Sequence, residues 1–150
     1  MSGDTKAIRF TVYGKPAQMG SKKGFVVKGR AVLVDDNSKQ RKNWANAVAS
    51  DAYIAMSGGP IITNPVTVCM DFYFQRPKSH YRSGKNSHRL KDSAPLIHFQ
   101  TPDIDKLTRC AFDAMTGIVY RDDALIWEQR STRYWTTGQE RCEIEVTTQL

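Results

Sequence analysis

Three short acidic elements in this chain are spaced so that carboxylates could gather around a hard cation. Asp103 and Asp105 stand two residues apart, Asp105, Arg109 and Asp113 follow one another at intervals of four, and the pair Asp122-Asp123 comes soon after. On a helix the Asp105, Arg109, Asp113 set shares one face, with Asp103 at the helix mouth beside it. Phosphodiester hydrolysis needs an activated water, relief of charge on the phosphorus oxygens and a neutralised leaving oxygen, and one or two Mg²⁺ ions can supply all three. Mg²⁺ takes hard oxygen ligands and keeps several waters, so two or three carboxylates suffice. Each piece also has a plain structural reading. Asp103 can be a helix cap favoured by the dipole, and Asp122-Asp123 can be a turn. Spacing alone leaves both readings open, and whether the pair reaches the helix is a question for the fold.

The positioning elements are visible as patterns. Thr101-Pro102-Asp103 offers a helix start, Ile104, Leu107, Ala111, Ala114 and Met115 form one apolar stripe, and Gly117 stops it. Val66, Val68, Met70, Phe72 and Phe74 alternate without interruption, which predicts the strongest strand of the chain, central to a sheet. Ile8, Phe10 and Val12 predict an earlier strand closed by Gly14-Lys15-Pro16, and Ala31 to Val34, Ile118 to Tyr120, Ala124 to Trp127 and Glu143 to Val146 predict short ones. Asp36 or Ser38 caps a helix carrying Trp44, Val48, Ala52 and Met56, closed by Gly58-Gly59-Pro60.

At 150 residues the length suits one domain, read here as 1–150, and a 40% apolar fraction can bury a core. The formal charge of +7 is high for that length and points toward a polyanionic partner such as nucleic acid. Lys22, Lys23, Lys28 and Arg30 lie in an expected basic hairpin or flexible loop. From Arg76 to Lys91 the chain carries Arg76, Lys78, Arg82, Lys85, Arg89 and Lys91, interleaved with His80, Tyr81 and His88, and no acid. This block is expected to be a long mobile loop. These cations, except Lys91, join Lys106 as the candidate DNA contacts. Cys69, Cys110 and Cys142 form neither a disulfide framework nor a zinc pattern. The polar N-terminus and the lack of any run near 18 apolar residues argue against a signal peptide or membrane span, so the cytoplasm is the expected compartment.

The strings Asp103-Ile104-Asp105-Lys106-Leu107, Phe112-Asp113-Ala114-Met115-Thr116-Gly117 and Tyr120-Arg121-Asp122-Asp123-Ala124 resemble the RusA family of Holliday-junction resolvases, including its phage-encoded members. The opening strand with Gly14-Lys15-Pro16 is similar too. The resemblance covers most of the chain and is strongest from Thr101 to Trp127. It implies a homodimeric endonuclease of a bacterial host cell, dependent on Mg²⁺ with Mn²⁺ as a substitute, that resolves four-way DNA junctions by paired nicks in recombination and repair. By motif, Asp103, Asp105 and Asp123 match the metal-binding carboxylates, with Asp122 and Asp113 in support. Arg109 stands where relatives often carry a catalytic lysine, and Lys106 is the alternative cation. The expected fold is α+β and RusA-like, one domain with a mixed sheet packed against two helices. The rival reading is a non-catalytic basic DNA-binding protein whose aspartates only cap a helix and shape a turn.

Overall fold

The computed structural model describes residues 6–20, 22–35 and 38–149, with the backbone alone at 22–25, 27 and 32–35. Strand β4 (Val66–Gln75) buries Val66, Val68, Met70, Phe72 and Phe74 on one face, as its alternation predicts, and leaves Thr67, Cys69, Asp71 and Tyr73 half-buried on the other. It lies inside a four-stranded sheet with β1 (Ala7–Tyr13), β5 (Ile126–Thr136) and β6 (Arg141–Thr148), in the order β1-β6-β4-β5. β6 runs antiparallel to both neighbours, whereas β4 and β5 are parallel, so the sheet is mixed. Parallel neighbours require a long crossover. Here that crossover is residues 76–125, and it carries the acidic elements.

Helices α1 (Ser38–Met56) and α2 (Ile104–Met115) supply the second layer. Trp44, Val48 and Ala52 of α1 and Leu107, Cys110, Ala111 and Met115 of α2 join the buried face of the sheet in one core. Full burial of a large apolar side chain contributes about 1.5–3 kcal/mol, so these two stripes are what hold α2 and its acidic face in place. The result is the α+β arrangement expected, a mixed sheet packed against two helices. Among the described residues, no helix is long and apolar enough to cross a membrane.

Strands β2 (Lys22–Val27) and β3 (Arg30–Asp35) pair as a separate antiparallel hairpin. Its tip, Lys28-Gly29, has φ of 50° and 76°, the left-handed pair that a two-residue hairpin turn requires. Lys28 and Arg30 are exposed there. The side chains of Lys22 and Lys23, and the cap candidate Asp36, lie outside the described residues.

Two expectations need correction. The strand expected at Ala124 to Trp127 begins at Ile126, after a 3₁₀ turn over Asp123–Leu125, and runs eleven residues. Its exposed first half, with Glu128, Gln129 and Arg130, lacks the apolar alternation that signals a strand. Ile118 to Tyr120 form no regular strand. They are pinned by single bridges from Tyr120 to Ile62 and Thr116, with Val119 and Tyr120 fully buried. The basic block from Arg76 to Lys91 is a long loop, as expected, drawn together by a single bridge between Tyr81 and Leu90. Short 3₁₀ turns at Lys78–His80 and Gly84–Asn86, and backbone bonds from Arg82 N to Arg89 O (2.8 Å) and Lys91 N to His80 O (2.9 Å), replace an apolar core. Arg76 donates to the Pro95 carbonyl at 2.7 Å, and Arg82 to the Leu90 carbonyl at 3.2 Å and to Asp92 at 3.0 Å.

Beyond that block the chain returns along β5, where His98 N donates to Arg133 O and Trp135 N to Leu96 O. His98 is 2% exposed, its ring 4.3 Å from Phe74 and 4.4 Å from Trp135. Burial, and then the neighbouring Arg133, lower its pKa from 6.5 to about 4. Between those values the unfolded chain takes a proton that the folded chain refuses. This contribution to stability is therefore whole above pH 6.5 and lost as pH falls toward 4, by up to about 3 kcal/mol. Urea unfolding at about pH 7 and about pH 5 should show a loss that His98→Phe reduces. Equal pH dependence in the two proteins would contradict the assignment.

Candidate active site

Asp103 holds the N-cap position of α2 in extended conformation (φ −76°, ψ 141°), yet its carboxylate makes no capping bond. Instead its backbone N–H donates to Gln18 Oε1 at 2.8 Å, and its carboxylate lies 3.7 Å from Lys106 Nζ. The carboxylate is thus held by a salt bridge one turn away and not by the helix end. Asp105 follows in the first turn, where the helix dipole favours an anion, and Arg109 one turn further on; both are exposed.

Of the pair Asp122-Asp123, only the first shapes the turn. Asp122 accepts the Ala124 N–H at 2.9 Å, the bond of an aspartate-led turn. Asp123 opens the 3₁₀ turn that follows. The segment before it is anchored from three directions: Ile62 N to Val119 O (2.9 Å), Arg121 N to Ile62 O (3.0 Å) and the Tyr120 hydroxyl to Phe112 O on α2 (2.8 Å). Tyr120 therefore ties the acidic turn to the acidic helix.

That tie brings Asp105, Arg109 and Asp123 to the wall of one cavity of about 530 Å³, with Thr108, Gln129 and Ser131. Thr108 donates to Ser131, and Ser131 to Gln129, each at 2.9 Å, in a chain of hydroxyls and amide that joins α2 to β5. Asp103 does not line this cavity; it stands at the helix mouth. Asp113 is exposed on the far end of α2. Among the described residues, no three acidic, histidine or cysteine side chains stand close enough together to hold one ion. The charges nonetheless press on one another. The hydrogen bond that a protonated Asp123 donates to Asp122, then burial and the charges of Asp122 and Asp113, push the Asp123 carboxyl above its ordinary pKa. The Ala124 N–H, and then the bond to Asp123, hold Asp122 below its own.

Of the basic residues, Lys78, Lys85 and Arg89 are exposed, as are Lys28 and Arg30, whereas Arg76 and Arg82 are engaged in holding their own segment and Lys106 pairs with Asp103. The sequence patterns missed four residues that position the site: Gln18, Gln129, Ser131 and Arg133. Arg133 donates to the carbonyls of Gln100 (2.7 Å) and Pro102 (2.6 Å), which fixes the chain immediately before Asp103. No local signal marks these residues, since each acts across the sheet or from a distant loop.

The fold and site define a basic α+β chain with carboxylates and an arginine around an open cavity, and its likeness to known proteins agrees. Residues 15–147 match endodeoxyribonuclease RusA, and the chain belongs to that family. It is also similar to the uncharacterized protein YqaN of Bacillus subtilis (strain 168), 28% identical over 140 residues, which is 93% of this chain and 94% of that one.

Proposed function

We propose that the protein is a Mg²⁺-dependent endonuclease that resolves four-way DNA junctions by paired nicks, serving recombination and repair. The observation that carries this reading is the meeting of Asp105, Arg109 and Asp123 at one cavity in a member of an endodeoxyribonuclease family. The donor set suits the ion, because Mg²⁺ needs only one or two protein carboxylates beside its waters. Asp123 already shares a proton-binding contact with Asp122 and feels the charges of Asp122 and Asp113, a setting that a cation would relieve. Asp105 and Asp123 would hold it, with Asp103 at the helix mouth as the third carboxylate that the family motif supplies; Mn²⁺ would serve in its place. When bound, the ion supplies Lewis acidity toward the phosphate and a water of lowered pKa. Arg109 faces the same cavity and stabilises charge that builds on the phosphate oxygens, and the Thr108-Ser131-Gln129 chain fixes part of the cavity wall. Lys28, Arg30, Lys78, Lys85 and Arg89 attract the DNA backbone.

The working unit is proposed to be a homodimer, because a four-way junction has an approximate twofold axis and an isologous pair presents one site to each of two opposed strands. The test is a labelled junction incubated with Mg²⁺ or with EDTA, with nick positions mapped on both strands and the mass in solution taken by light scattering. Symmetric, metal-dependent nicks from a dimer support the reading. Tight binding without nicks would return the protein to the non-catalytic DNA-binding class, and nicks confined to one strand would reduce it to a flap or single-strand nuclease.

The surface cations give a second expectation. Replacing Lys78, Lys85 and Arg89 together by Gln should flatten the slope of log K against log[salt] by roughly one unit for each phosphate no longer neutralised. An unchanged slope assigns these residues to solvent.

A further inference from the structure

A second cavity, of about 510 Å³, opens beside the first residues of the acidic helix. Thr101 and Pro102 line it and directly precede Asp103, and Gln18, which also lines it, accepts the Asp103 N–H at 2.8 Å. Its floor is aromatic: Phe74 and Trp135 are 4% and 8% exposed and enclose the ring of His98. Its rim carries the amides of Gln18, Gln40, Gln75 and Gln100. The two charged residues that line it, Lys15 and Glu140, are of opposite sign.

This lining is wrong for a phosphate backbone, which would be met by an excess of cations. It suits a flat, uncharged, hydrogen-bonding ring. Each glutamine amide offers both a donor and an acceptor, the pair of functions that reads a nucleobase edge, and Phe74, Pro77, His98 and Trp135 give the lining an uncharged, largely apolar side. The volume lies within the range of small-ligand sites.

We propose that this cavity receives an unpaired nucleobase of the DNA strand adjacent to the bond to be cut, and that its glutamine rim sets a base preference at that position. The inference rests on the reading of the neighbouring cavity as a nuclease site. A branched junction exposes bases at its crossover that are cheaper to unstack than those within a duplex. The cavity lies next to Asp103, so the base it holds decides which phosphodiester is presented.

The experiment uses the full chain and a set of four-way junctions that differ only in the nucleotides at the branch point. Two readouts are taken on every junction: cleavage rate with Mg²⁺, and affinity by competition in EDTA. Wild type is compared with Gln75→Leu/Gln100→Leu and with Gln40→Ala; all three residues are exposed, so the fold has little at stake. The expected result is a preference in wild type of about tenfold or more between best and worst junction, the discrimination of one good base pairing with a side chain. The double variant should bring it below about threefold by removing the amides that read the base. A wild type that treats all junctions alike, or a preference that survives the substitutions, overturns the proposal. Equal loss on every junction in the variants also overturns it, in favour of a backbone groove. Because the EDTA readout needs no chemistry, base-dependent affinity that disappears in the variants upholds the cavity's role even where no junction is nicked, and that outcome sinks the nuclease reading instead.

Discussion

Asp105→Asn and Asp123→Asn should each lower junction cleavage by about a thousandfold or more, the several kcal/mol that a bound metal supplies to phosphodiester hydrolysis. The amide keeps the shape of the carboxylate and removes its charge, so the core beneath α2 is untouched. Asp103→Asn is expected to behave alike, since its carboxylate serves no cap whose loss could confuse the result. Affinity for the junction in EDTA should hold or rise, because each change removes a negative charge from a surface that meets phosphates. Asp122→Asn is the internal control. An asparagine oxygen can still accept the Ala124 N–H, so the turn survives and cleavage should stay within about tenfold of wild type. Cleavage near the wild-type rate in any of the three Asn variants would remove that residue from the site. A loss at Asp122 as large as at Asp123 would mean the pair acts as a unit.

Arg109→Ala should cost about a hundredfold in kcat/KM, the effect of deleting one fixed electrostatic interaction with a charge-building transition state. Arg109 lines the same cavity as Asp105 and Asp123, and its exposed side chain is free of any role in the core beneath α2. Arg109→Lys should recover part of the rate, because a lysine restores the charge but not the planar fork. Lys106 is the competitor for this role, and its ammonium lies 3.7 Å from Asp103. Lys106→Ala should therefore act mainly on metal affinity through the freed Asp103, seen as a shifted Mg²⁺ requirement. A larger rate loss in Lys106→Ala than in Arg109→Ala at saturating Mg²⁺ would exchange the two assignments.

Elements whose sequence signal comes from their own burial were legible in advance. β4 and α1 alternate or repeat with the period of their structure, and their buried sets match the apolar positions. α2 was legible for the same reason, and with it the placing of Asp105 and Arg109 on a common exposed face. β5 was foreshortened because half of an edge strand faces water and carries polar residues. The Arg76 to Lys91 block was legible as a loop, but not its internal order. Charge density predicts solvation, but arginines that donate to backbone carbonyls, such as Arg76 to Pro95, give local order to a segment poor in apolar residues.

The sequence by itself determined the chemistry on offer: a basic chain, two helices and a central strand, and carboxylates at family spacing. It could not choose between Asp103 as cap and Asp103 as metal ligand, nor between Asp122-Asp123 as a turn and as part of a metal site, because both readings use the same residue types. The tertiary structure shows Asp103 without a capping bond, its carboxylate 3.7 Å from Lys106, and Asp122 accepting the Ala124 N–H. It also decided which residues meet. Asp105 and Asp123 are brought to one cavity by the buried Tyr120, whose hydroxyl holds Phe112 O, and by the pairing of Ile62 with the chain before the turn. Convergence of this kind depends on contacts between residues far apart in the chain, and local periodicity carries no information about them.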